Sequence, residues 1–182
     1  MDLALLIVRL IVGLGFAAHG AQKLFGWFRG GGLSGTSEFF EGLGFSPGRF
    51  FATAAGVSEL TAGLLIATGA FGSIGPALIV ALMVVAILTV HAANGFFAES
   101  NGFELPLLYL AVALVLAMAG PGAYSLDRLV GASYFSRPEV AWTFVTLGAA
   151  GGLANVSLRR RPFVLSTVRP AVVRSADSSV RS

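Results

Sequence analysis

The sequence contains no cysteine, which excludes a structural disulfide, a dithiol relay and a thiolate-ligated cluster within this chain. Charge is scarce as well: 12% of the residues are Asp, Glu, Lys or Arg, against about a quarter in a soluble domain. With 55% hydrophobic residues, the chain cannot cover most of its exterior with polar groups, as a water-soluble domain must. A Ser/His/Asp arrangement, a Walker loop, a metal-binding motif and low-complexity repeats are also missing. Six of the twelve basic residues, all arginines, follow Leu158. The high pI is therefore largely a property of the tail and points to membrane topology rather than to nucleic acid. Met1-Asp2 gives no basic n-region, and the apolar run after it is too long for a cleaved signal peptide.

What remains is a series of long apolar segments. A bilayer core takes about 20 apolar residues in helical form. Leu3 to Phe25 supplies the first such stretch, interrupted by Arg9, His19, Gln22 and Lys23. Phe50 to Phe71 is the second, with Glu59 as its one charge, and Ile74 to Asn94 is the third. Only Gly72-Ser73 separates these two, which predicts a tight antiparallel hairpin. Leu105 to Ala119 is short, but from Glu104 to the Gly120-Pro121-Gly122 break it is long enough to be the fourth. Val140 to Leu158 is the fifth; it has no charge, yet its three glycines, two threonines, Asn155 and Ser157 make it weakly hydrophobic. The expected fold is all-α: a four-helix transmembrane core over residues 1–130, an additional transmembrane helix with its linker over 131–158, and a basic, disordered tail over 159–182.

Local signals agree with these limits. Ser46-Pro47 predicts a capping hydroxyl followed by proline at the first helical position. Asn101 and Glu104 are spaced as a capping box for the fourth helix, and Asn94-Gly95 closes the third. Between the first two spans, Thr36 to Leu43 reads as a short interfacial helix with Phe39, Phe40 and Leu43 toward lipid and Glu38 and Glu41 toward water.

An ionisable group in hydrocarbon costs several kcal/mol unless paired or hydrated, so each one calls for a reason. His19 and Lys23 lie four residues apart on one helix face, with Gln22 beside them. Glu59 lies about nine residues, roughly 13 Å, into the second helix. His91 and Asn94 are near the end of the third helix, and Glu104 opens the fourth. In an antiparallel bundle all seven converge on one membrane face. Four of them also have a plainer reading: Lys23 snorkels, Glu104 caps, His91 bonds a free carbonyl, and Glu59 forms a purely structural pair with Lys23 or His19. Near the opposite face, Arg9 is expected to form a structural ion pair with Asp127. Two histidines on different helices raise axial haem ligation, but His19 has no small-residue slot for a macrocycle beside it.

Read together, these residues resemble the DoxX family of small membrane proteins. The resemblance rests on Arg9-Leu10 with HGAQKLFG, on GVSELTAGLLIATG, and on NGFELPLLYLAVALVLAMAGPGAYSLDRL, in that order, and covers about residues 3 to 130. It implies a four-helix core and a membrane subunit associated with redox complexes. The family is named for a subunit linked to a thiosulfate:quinone oxidoreductase and a terminal quinol oxidase, and other members accompany superoxide or thiol defence. On that basis the expected partners are the lipid bilayer and other membrane or redox subunits, and quinone is the cofactor considered. Glu59, His19 and His91 would bond or exchange protons with quinone oxygens, with Lys23 setting their charge state. Scaffold or assembly subunit, and small-solute or proton transporter, are the alternatives.

Lys and Arg counts place the tail on the cytoplasmic side of the plasma membrane. Five spans put Lys23, Arg29, Arg49 and the six tail arginines inside; four spans put Arg9, Arg128, Arg137 and the tail inside, the same nine against three. The two arrangements place Ser34 on opposite sides. Ser34→Cys would be the sole thiol, so an impermeant maleimide reports its side. Five spans predict protection in intact cells and labelling after lysis; labelling in intact cells would mean four.

Overall fold

The computed structural model describes residues 1–132 and 134–160 and is helical, with no strand among the described residues. The expected disordered tail lies, from Arg161 onward, outside the described residues. Among the described residues seven α-helices follow one another: α1 Asp2–Phe25, α2 Gly32–Gly42, α3 Gly48–Thr68, α4 Ile74–Ala86, α5 Glu104–Ala119, α6 Leu126–Leu129 and α7 Pro138–Ser157. Beyond Ala86, α4 continues through a π-helical turn, Ile87–His91, and a 3-10 turn, Ala92–Asn94. Four segments among the described residues are long and apolar enough to cross a membrane: α1, α3, Ile74–Asn94 and α7. The shorter apolar helix is α5, whose 16 residues rise about 24 Å against a hydrocarbon core of about 30 Å.

The exterior explains the composition. Leu3, Ile7, Ile11 and Leu14 of α1 and Leu108, Val115 and Met118 of α5 are exposed, a surface that is stable only against lipid. The protein is embedded in the bilayer by these helices. Inside, Phe16, Ile66, Ile79, Val80 and Leu116 form one core between α1, α3, α4 and α5, joined by Val145 of α7. Phe40, Phe45, Phe51 and Ala52 form a second core beneath α2.

Because lipid tails are as apolar as the helices, helix association rests on close packing rather than on a hydrophobic drive. α1 and α3 meet backbone to backbone. A Cβ on Gly13 would lie 2.5 Å from the Ala67 nitrogen and 2.6 Å from the Gly63 oxygen, and one on Gly20 2.5 Å from the Leu60 nitrogen. The pairing of low numbers on α1 with high numbers on α3 makes the seam antiparallel. α7 packs on α4 in the parallel sense, Gly148 against Ala77 and Gly152 against Ala81 and Val84. Its end is fastened to the α2–α3 connection by Arg160 N donating to Gly44 O at 2.8 Å and by Arg159 Nε donating to Leu43 O. The end of α7 therefore shares a face with α2.

Several local expectations change. Ser46 makes no capping bond; α3 begins at Gly48, whose N–H is received by Glu41 Oε1 at 3.2 Å. Glu41 stays exposed, as expected, and its carboxylate also serves as the cap. Phe40 is buried rather than lipid-facing, because α2 leans on α3, while Phe39 stays exposed. The capping box does not form. Asn101 takes a left-handed conformation, and Glu104 reaches back to Ala98 N at 2.9 Å.

The seam predicts a contrast between glycines of one helix. Gly13→Val is expected to lower the unfolding midpoint in detergent by several degrees, since overpacking costs about 1–3 kcal/mol. Gly15→Ala, where a Cβ meets nothing within 4 Å, should leave the midpoint unchanged.

Candidate functional site

Lys23 stands in the last turn of α1 and Glu59 on the buried face of α3. The antiparallel seam sets these positions side by side. Lys23 Nζ lies 2.7 Å from Glu59 Oε1 and 2.6 Å from Oε2, the one ion pair among the described residues. The Glu59 side chain is 10% exposed and that of Lys23 27%. Lys23 thus turns inward instead of snorkelling outward, and it is Lys23, not His19, that pairs with Glu59.

The pair lies on the wall of a cavity of about 360 Å³ bounded by α1, α2, α3, α4 and α7, within the range of small-molecule sites. Most of the wall is apolar. The other polar residues on it are Ser58, Thr89, His91 and Asn155. Thr89 and His91 arrive there through the π turn, a local widening common at functional positions. The Thr89 hydroxyl donates to Val85 O at 2.8 Å, the carbonyl that an α-helical N–H of Thr89 would have used. His91 Nδ1 is 2.8 Å from Asn101 O. A carbonyl only accepts, so Nδ1 carries the proton and Nε2 is the nitrogen left to accept.

Of the seven residues expected to converge, three line this cavity: Lys23, Glu59 and His91. The remaining four organise connections at the same membrane face. His19 Nδ1 donates to Gln22 Oε1 at 3.1 Å, and Gln22 Nε2 donates to Phe28 O at 3.3 Å. Asn94 Nδ2 bonds Val90 O and Asn101 O at 3.1 and 3.2 Å, and Glu104 holds the Ala98 N–H. Ser58, Thr89 and Asn155 are the cavity residues that the sequence reading left out. Asn155 had a visible signal, a polar amide inside a span without charge.

The opposite face corrects the expected ion pair of Arg9 with Asp127. The two make no direct bridge, because each is taken up by backbone. Arg9, 3% exposed, donates from Nε to Ile66 O at 2.9 Å, from Nη2 to Ala67 O at 3.0 Å, and from Nη1 to Tyr124 O at 2.9 Å and to Pro121 O. Carbonyls in the last turn of a helix lack intrahelical donors, and the helix dipole is negative there. A guanidinium satisfies both. It fits only because position 69 is glycine: a Cβ there would stand 2.6 Å from Nη2, and φ is +66°. Asp127 receives the Phe71 N–H at 2.8 Å and the Gly72 N–H at 2.6 Å, which secures the α3–α4 turn.

Residues 4–92 match the DoxX family model, and the chain is a multi-pass membrane protein of the DoxX family. An uncharacterized protein of Haemophilus influenzae is 33% identical over 85 residues, 47% of this chain and 54% of its own length. The chain thus spans about half of that relative. An uncharacterized membrane protein of Mycobacterium tuberculosis is 29% identical over 135 residues, 69% of this chain and 80% of its own length. No solved structure matches the chain. The ion pair lies within the family region; α5 and α7 lie beyond it.

Proposed function

We propose that the protein is an accessory subunit of a quinone-linked membrane redox complex, whose cavity takes the quinone head. The observation that carries this reading is a Lys–Glu pair and a histidine on the wall of a largely apolar cavity between the spanning helices. A quinone needs such a site: a donor for its carbonyl oxygens, a group that delivers a proton on reduction, and apolar walls for ring and tail. Lys23 retains N–H capacity beyond its bonds to Glu59, His91 Nε2 accepts from a quinol hydroxyl, and Glu59 exchanges the proton. Electrons come from a partner subunit, since the chain has no thiol pair to relay them. The complex would lie in the plasma membrane with the arginine-rich tail toward the cytoplasm.

The alternative is a purely structural subunit. His19, Gln22, Asn94 and Glu104 favour it, because their bonds are spent on connections. Binding separates the two readings. In nanodiscs, a decyl-tailed benzoquinone should raise the unfolding midpoint of the parent protein saturably. Glu59→Gln should weaken the apparent affinity by about tenfold, roughly the loss of one charge-assisted hydrogen bond, while the exposed Thr61→Ala leaves it unchanged. No saturable rise in the parent, or equal affinity in Glu59→Gln, would favour the scaffold.

A further inference from the structure

The cavity has walls of unequal kind, and that inequality indicates how it is reached. On its α2 side it is covered by Phe39, Phe40 and Leu43, and the α2–α3 connection is tied to the end of α7 through Leu43 and Gly44. The side between α3 and α7 is different. Both helices pack on α4 but make little contact with each other. Ala54 and Ser58 sit one turn apart on α3, and Gly151 and Asn155 one turn apart on α7; all four line the cavity. Ala54 and Gly151 are exposed, and Ser58 and Asn155 half-buried.

Gly151 is distinct from its neighbours. A Cβ on Gly148 or Gly152 would strike α4, whereas one on Gly151 meets nothing within 4 Å. Packing does not require glycine at 151, yet the absent side chain leaves the gap open. Ser58 is ten residues from the start of α3, about 15 Å, and Gly151 six from the end of α7, about 9 Å. That depth belongs to hydrocarbon, not to headgroups or water.

We propose that the gap between α3 and α7 is a lateral portal, through which a membrane-dissolved amphiphile enters the cavity from the bilayer. The occupant rests on the ligand reading given above. It has an uncharged polar head, since Lys23 and Glu59 neutralise one another and Ser58, Thr89 and Asn155 are neutral. Its tail leaves past Gly151 into lipid. Among the described residues the Asn155 amide has no side-chain partner, which leaves it available at the rim. Of the two portal helices, α3 lies within residues 4–92 and α7 beyond them.

The lack of cysteine permits a direct test in nanodiscs, where both faces are open to solvent. Ser58→Cys should react with a hydrophobic pyrenyl maleimide but not with a sulfonated maleimide, which labels Ser34→Cys readily. Adding Gly151→Trp should slow the pyrenyl reaction about tenfold or more by filling the gap, while Gly151→Ala leaves the rate unchanged. Full labelling in dodecyl sulfate checks that the thiol is intact, and an unchanged unfolding midpoint checks that the variants fold. Rapid reaction of Ser58→Cys with the sulfonated reagent, failure of both reagents, or an unaltered rate with Gly151→Trp overturns the portal. The decyl-tailed benzoquinone should slow pyrenyl labelling. If the labelling pattern holds and the quinone has no effect, the quinone reading fails and the portal stands.

Discussion

An ammonium and a carboxylate held 2.6 Å apart inside a helical bundle have no bulk water to fall back on. Each would carry a desolvation penalty of several kcal/mol if left alone. The Lys23–Glu59 pair therefore ties the end of α1 to the middle of α3, and the geometry around it follows. It requires the glycine seam, since α1 and α3 must approach at backbone distance for side chains this far along each helix to meet. It also puts a compensated, polar spot on the wall of an apolar cavity.

The opposite face meets the same constraint by another route. Arg9 and Asp127 spend their charge on backbone groups at helix ends. Carbonyls ending α3 and N–H groups preceding α4 are groups that hydrocarbon cannot satisfy. A cation on the first and an anion on the second close the turn without the two side chains touching. At one end of the bundle these two charges thus hold structure. The other retains a cavity with polar residues on its wall.

The sequence made the helices legible because apolar run length is set by bilayer thickness, a constraint with little tolerance. It also showed that polar residues gather at one face, since that follows from alternating helix direction. Which of them meet was not legible. Lys23 and His19 are equally placed by spacing, and only the crossing of α1 on α3 selects Lys23. The π turn at Ile87–His91 has no signature in apolar periodicity, so Thr89 was passed over. Arg9 misled because opposite charges suggest pairing, whereas a guanidinium has five donors and helix-end carbonyls lie nearer. Glu41 is exposed, as its place on a short amphipathic helix suggests; its second use, holding the first N–H of α3, was legible only once the two helices stood side by side.

The central claim is that Lys23 and Glu59 act as one unit inside the membrane. A double-mutant cycle on unfolding of the reconstituted protein tests it most directly. Lys23→Met leaves the buried Glu59 carboxylate uncompensated and should cost about 3–5 kcal/mol, and Glu59→Met leaves the part-exposed Lys23 ammonium alone and should cost less. The double variant removes both charges and should recover most of that loss. Single variants as stable as the parent, or a double variant whose loss equals the sum of the two, would contradict the account.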